Sequence, residues 1–313
     1  MLENKKQIPQ LLETAVIASC GSLKITCEDN IELLSRTKNE SIDIICIDPP
    51  YLYLKNQKLE REFNENKFFE ECKRVLTKDG FVIMFGRGIS FYRWNCVLSD
   101  LGFIFKEEIV WNKGYNSSPV TPINRYHETI SIWSKGASIN NSIIPYIEAK
   151  IDFSKIHSDL KRILSGLNNP VDFEDLSNYI KTGEVNFKEK NKTQGNNTTV
   201  QSEMKQQGQA VKTLQAVVKG MKEQSIININ RDHYTSIHPT QKPVRLLERL
   251  INLCLPDKPK IKITVADFFG GSMSTMEAVY NLGLNGISCE IDNEYFEKGI
   301  ERINNHVAQQ KLF

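Results

Sequence analysis

The chain has 313 residues, enough for one large domain with an insertion, and its 40% apolar and 25% charged residues suffice for a full core. A net charge of +2 excludes a uniformly basic nucleic-acid coat while leaving room for a basic cleft. The seven cysteines form no C-x-x-C pair and no metal-ligand spacing with histidine, and no apolar run reaches membrane-span length, so a cytoplasmic protein with reduced thiols, no metal and no membrane partner is expected.

In chain order, Ser22–Cys27 is predicted as a short strand and Asn30–Arg36 as a helix following Asp29. Ile42–Ile47 is an isoleucine-rich run, the pattern of a strand buried on both faces of a parallel sheet. Phe68–Leu76 has helical apolar spacing and is expected to stop at Lys78-Asp79-Gly80, before a buried strand over Phe81–Phe85. Phe91–Leu101 is predicted helical and closed by Gly102, with a strand pair over Ile104–Trp111 and Thr129–Trp133. Residues 137–230 change character, being rich in Asn, Lys, Gln, Ser and Thr, and 186–209 is nearly low-complexity. Within them Val200, Met204, Val211, Leu214, Val218 and Met221 suggest a helix, either covering its own domain or packing on a second subunit. From Ile237 the strand–helix rhythm returns. A helix is predicted over Val244–Leu255, a strand over Ile261–Val265, a helix over Ser274–Leu282, a strand over Gly286–Ile291 and a helix over Tyr295–Val307. This alternation implies one α/β domain with a mostly parallel sheet, formed by 1–136 and 231–313 and interrupted by an insertion at 137–230.

Two segments carry chemistry. The first predicted buried strand delivers Asp48-Pro49-Pro50-Tyr51 at its carboxyl end, the edge at which open α/β sheets bind ligands. Two prolines hold the backbone rigid and leave carbonyls without competing N–H groups. An acid, a fixed carbonyl and an adjacent aromatic ring suit a planar base bearing an amino group, although a plain Pro-Pro turn would read the same way. Asp267-Phe268-Phe269-Gly270-Gly271-Ser272 lies between a strand and a helix, where glycines allow close backbone approach and the helix start favours an anion. Glu290, at the end of the next strand, stands where a carboxylate binds ribose hydroxyls.

These segments, in this order, resemble the β-class amino-methyltransferases of DNA, the D-P-P-Y type with permuted motif order. Lys24-Ile25-Thr26-Cys27-Glu28-Asp29, Trp111-Asn112-Lys113 with His127-Glu128, Arg74-Val75-Leu76, and His238-Pro239-Thr240-Gln241-Lys242-Pro243 extend the likeness over 22–136 and 231–307. The resemblance implies a doubly wound, mostly parallel sheet of the S-adenosylmethionine-dependent methyltransferase type, with 137–230 as target-recognition insertion. It implies S-adenosylmethionine as cofactor, held by Asp29, Asp267, Phe269, Gly271, Ser272 and Glu290, with Thr240 or Lys242 near the methionine end. Asp48, Pro49, Pro50 and Tyr51 are the expected catalytic residues, acting on adenine N6 of double-stranded DNA after base flipping. The reading admits a homodimer and a cognate restriction endonuclease as further partners. Cytosine N4 is the alternative acceptor, and a catalytically weakened DNA-binding relative the alternative class. A C5-cytosine mechanism is dropped, because no Pro-Cys dipeptide exists.

The chain departs from the family's loop at Phe268, Met273 and Ser274. Met273 replaces a small residue, so its side chain either crowds the ligand or points into the core beside the helix. Lys113 and Arg125 are expected to contact phosphates, His127 and His238 to be structural or phosphate-contacting, and the charges around 245–249 to be solvated. Phe63, Phe68 and Phe69 are expected in the core.

Overall fold

The computed structural model describes residues 13–17, 22–51, 61–114, 122–150, 152–184, 209–231 and 236–310. Its strands in chain order are β1 (Glu13–Ile17), β2 (Ser22–Thr26), β3 (Ile42–Ile47), β4 (Leu76–Gly86), β5 (Ile104–Asn112), β6 (His127–Ser134), β7 (Ile143–Ile144), β8 (Met221–Lys222), β9 (Ile226–Asn228), β10 (Thr264–Asp267) and β11 (Asn285–Cys289). The chain divides into two compact units, one of residues 1–140 with 225–313 and the other of 141–224.

The larger unit holds a nine-stranded sheet in the order β1-β2-β11-β10-β3-β4-β6-β5-β9. Its centre, β2-β11-β10-β3-β4, is parallel, while β1 and β6 run antiparallel to their neighbours. Alternation along the strands feeds two cores. Ile44, Cys46, Phe81, Ile83 and Phe85 pack on one face with the helices Val244–Leu253, Ser274–Leu282 and Asn293–Gln310. Ile42, Ile45, Ile47, Val82 and Met84 pack on the other with Asn30–Arg36, Glu65–Val75 and Gly88–Asp100. The sheet is therefore doubly wound and mostly parallel, as the motif order implied.

Local chemistry sets the element ends. Asp29 caps the helix Asn30–Arg36 by accepting from Ile31 N at 2.8 Å, and Asn64 caps the helix Glu65–Val75 from Lys67 N at 3.1 Å. That cap starts the second helix three residues ahead of the expected Phe68. The Lys78-Asp79-Gly80 run does not stop a helix. It lies inside β4, which begins at Leu76 and absorbs the extra residues in an irregular register between Ile42 and Ile44. The strand expected over Ile261–Val265 begins only at Thr264, because Lys260–Lys262 forms a 3-10 turn behind Pro259.

In the smaller unit, β7 and β8 pair antiparallel, and the helices Phe153–Leu167, Pro170–Thr182 and Gln209–Lys219 surround Leu176, Tyr179, Ala210 and Val211. Val200 and Met204 of the expected apolar seam lie outside the described residues. Val211 is buried within its own unit with Leu214 packed beside it, while Val218 is exposed.

Candidate active site

The carboxyl ends of β2, β3, β10 and β11 meet at one edge of the sheet and open into a cleft of ≈ 1210 Å³, counting space open to solvent. The structure brings every residue named above for catalysis or cofactor binding to its walls: Asp48, Pro49, Pro50 and Tyr51, then Asp29, Thr240, Lys242, Asp267, Phe269, Gly271, Ser272 and Glu290. Seven carboxylates line the cleft (Glu28, Asp29, Asp48, Glu62, Asp267, Glu290 and Asp292) against the two cations Arg61 and Lys242. Such a lining favours a positively charged guest. Among the described residues no group of three or more His, Cys, Asp or Glu could hold a metal ion.

At one end stands a row of alternating charges. Asp48 Oδ1 accepts from the Tyr51 hydroxyl, and Oδ2 lies 2.5 Å from Lys242 Nζ. Lys242 Nζ is also 3.1 Å from Glu128 Oε2, and Glu128 Oε1 is 3.3 Å from Lys113 Nζ. Burial pushes the Asp48 carboxyl above the usual aspartate range, and Lys242 opposes that rise. Burial pulls on Glu128 in the same sense, but Lys242 and Lys113 together hold it below its ordinary value. Lys242 in turn stays a cation: burial disfavours its charge, and the two carboxylates outweigh burial. Of Thr240 and Lys242, expected as alternatives near the methionine end of the cofactor, both line the cleft, and the Lys242 ammonium sits on Asp48. Lys113, expected on a phosphate, is buried with its charge spent on Glu128.

The other end is built from backbone. Glu290 Oε2 accepts from Gly271 N and Oε1 from Asp292 N, both at 2.8 Å, which fixes the carboxylate and leaves lone pairs facing the cleft. Asp267 accepts from Phe269 N at 3.0 Å, and burial pushes its carboxyl up to about 7. Gly271 has φ +50, a conformation that glycine reaches without strain, and its Cα faces the His238 ring. Ser272 Oγ lies 2.9 Å from Ser274 Oγ, at the start of the helix Ser274–Leu282. His238 Nδ1 accepts from Thr240 N at 3.3 Å, so its proton sits on Nε2, and burial brings its pKa down to about 4. His238 is thus a neutral wall, set edge-on to Tyr295 at 4.4 Å, and not a cation for phosphate.

Met273 resolves in favour of the core. It is fully buried, its Sδ accepts from Ser288 Oγ at 3.6 Å, and it fills the space above Gly270 and Gly299 without lining the cleft. Its backbone takes the left-handed φ of +58 that a glycine would hold without strain. Arg249, expected to be solvated, is buried. Phe68 and Phe69 are core, whereas Phe63 lines the cleft edge-on to Phe269 at 5.1 Å.

Sequence reasoning missed Arg61, Asp292 and Tyr295. Arg61 Nη2 lies 3.2 Å from Asp292 Oδ2, while Asp292 Oδ1 caps the final helix through Glu294 N and Tyr295 N. The Asp292-Asn293 start of that helix was a readable capping signal; the Arg61 partner, 231 residues away, was not. Glu128 lay in a recognised stretch, but its position between two lysines required the fold.

A family model described as DNA methylase matches residues 42–301. The chain is 25% identical to the Type II methyltransferase M.HpaI of Haemophilus parainfluenzae, over 90% of this chain and 74% of that protein. It is 26% identical to the DNA adenine methyltransferase YhdJ of Escherichia coli (strain K12), over 91% of this chain and 84% of the relative. Among solved structures, the M1.HpyAVI–SAM complex is similar at a TM-score of 0.50 and 17% identity, covering 90% of this chain and 99% of that one. The cytosine-N4-specific PvuII DNA methyltransferase is similar at 0.51 and 14%, covering 92% of each. At these identities the structures speak for the fold.

Proposed function

Since the chain belongs to the DNA methylase family that its residues 42–301 match, we propose that it methylates N6 of adenine in double-stranded DNA. S-adenosylmethionine is the methyl donor. It supplies a methyl group activated by a sulfonium charge; every other task falls to the chain's own residues. The acid-rich cleft fits a ligand carrying sulfonium and ammonium charges. The backbone-held Glu290 fits its ribose hydroxyls.

The observation that carries the reading is Asp48, a half-buried carboxylate at a strand end whose two oxygens each hold one donor and keep a lone pair for another. Asp48 and the Pro49 carbonyl accept the two hydrogens of a flipped amino group and draw its nitrogen lone pair out of the ring. Positive charge grows on that nitrogen in the transition state, where an adjacent carboxylate stabilises it most. Lys242, 2.5 Å from Asp48 Oδ2, favours the ionised form of that carboxylate before the base arrives. Two features favour adenine over cytosine: aspartate heads the motif, and YhdJ, similar over 91% of this chain, is a DNA adenine methyltransferase. The recognition of a DNA sequence falls to residues 141–224, whose Asn, Gln, Lys and Ser side chains suit base edges and phosphates.

The test is to incubate the purified protein with S-adenosylmethionine and plasmid DNA, then digest the DNA and weigh its nucleosides. N6-methyladenine is expected. N4-methylcytosine as sole product overturns the choice of base, and unmodified DNA overturns the function.

A further inference from the structure

Helix Gly88–Asp100 starts beside the catalytic segment. Ile47 of β3 pairs with Met84 of β4, so Asp48-Pro49-Pro50-Tyr51 and Gly86-Arg87-Gly88-Ile89 leave adjacent parallel strands at the same edge. The two are tied: buried Ser90 donates its hydroxyl to the Tyr51 carbonyl at 2.9 Å. Phe91 and Trp94 anchor the helix in the core. With about 100° per residue, Ile89 lies nearly opposite Phe91 and close to Tyr92. Ile89 is accordingly 82% exposed and Tyr92 71% exposed, large apolar groups held outward by a rigid helix start.

The surroundings are cationic. Arg87, next in chain to this turn, and Arg231 both act on the buried Lys113, whose own charge is met by Glu128, so two further positive charges gather at the same sheet edge. The helix start adds its unsatisfied N–H groups. A polyanion is therefore the complementary partner, and the aliphatic tip projects toward it.

We propose that Ile89, flanked by Tyr92, is the wedge that enters the DNA base stack where the target base leaves, holding that base in the cleft. The proposal rests on the functional reading above. A flipped base leaves a gap in the stack, and proteins fill such gaps with isoleucine, leucine, methionine or phenylalanine. The Ser90–Tyr51 tie fixes the wedge relative to Tyr51, so occupying the gap and seating the base are one event.

The experiment compares single-turnover methylation of two synthetic duplexes carrying the sequence that the wild type methylates on plasmid DNA. In one the target base is normally paired. In the other it faces an abasic position, where extrusion costs little. Ile89→Ala changes an exposed residue and keeps the fold, checked by circular dichroism and by S-adenosylmethionine affinity. It should slow the paired duplex about 10-fold or more and leave the abasic duplex within about twofold of wild type. Ile89→Leu should restore the paired rate. Equal rates for Ile89→Ala and wild type on the paired duplex, or equal losses on both duplexes, would overturn the wedge. A wild type that methylates neither duplex overturns the functional reading and the wedge with it.

Discussion

The two ends of the cleft are held by different means. At the end proposed for the cofactor the acids bind to nearby backbone: Glu290 to Gly271 N and Asp292 N, Asp267 to Phe269 N, Asp29 to Ile31 N. At the catalytic end Asp48 is held by side chains, Tyr51 beside it and Lys242 from 194 residues away, with Glu128 and Lys113 behind. Backbone donors survive any point substitution but proline, whereas a row of paired charges depends on every member. The cofactor end should therefore lose affinity in small steps, and the catalytic end should fail as a unit.

Removing one charge from the row breaks or upholds that contrast most sharply. Lys242→Met removes the buried cation shared by the half-buried Asp48 and Glu128, a loss bounded by the roughly 3–5 kcal/mol of a fully buried broken pair. Thermal unfolding should fall by about 6–20 °C at that bound, since each kcal/mol moves Tm by about 2–4 °C in a domain of this size. Methyl transfer should fall as well, because Asp48 then loses the cation that favours its ionised form. A Lys242→Met protein as stable and active as wild type would show that the row is incidental.

Met273→Ala comes next. The side chain is fully buried against Gly270 and Gly299, so truncation should cost about 2–5 kcal/mol of stability, read by chemical denaturation. Cofactor affinity, measured where the variant is folded, should not move. Tighter binding would mean that the side chain crowds the ligand after all.

Glu290→Ala removes charge-assisted bonds worth about 1.5–3 kcal/mol, and calorimetry should record S-adenosylmethionine binding about 10- to 100-fold weaker. At saturating cofactor the transfer rate should remain near that of wild type. A rate loss that saturation fails to repair would blur the division between the two ends.

The smallest effect is a pH dependence. Burial raises Asp267 to about 7, so near neutrality part of the population is protonated. A cationic guest prefers the ionised form and expels the proton, so affinity should rise as pH increases through 7. Between pH 6 and 7.5 the gain should be several-fold, as titration of one group requires. The same shift lowers stability without cofactor: the folded state holds the proton more tightly than the unfolded chain, so stability falls as pH rises from about 4 to 7. Asp267→Asn should flatten both curves, and a wild-type affinity flat across this range would remove Asp267 from the cofactor's charge balance.

This contrast also accounts for what the sequence revealed. Asp48-Pro49-Pro50-Tyr51 and the Gly270-Gly271 turn were legible because strand, turn and helix start are contiguous, and the isoleucine-rich β3 announced its burial on both faces. Glu290 was legible for the same reason. The charge row was not, because Glu128 and Lys242 meet Asp48 only through the order β10-β3-β4-β6, and no local periodicity encodes strand order. Lys113 and Arg249 read as solvent-facing cations since burial of a charge depends on a partner brought by the fold. Met273 was ambiguous because a left-handed backbone, not its composition, turns the side chain inward. The early start of β4 at Leu76 followed from pairing with β3, which overrode the turn chemistry of Lys78-Asp79-Gly80.

The central claim is that Asp48 acts on the amino group of the base and not on the cofactor, and one measurement tests it most directly. Single-turnover methylation of DNA by wild type and Asp48→Ala, at saturating S-adenosylmethionine, should show a rate loss on the order of 100-fold or more, as for other single electrostatic stabilisers, with cofactor affinity unchanged. An Asp48→Ala protein that transfers methyl groups at a near-normal rate would contradict it.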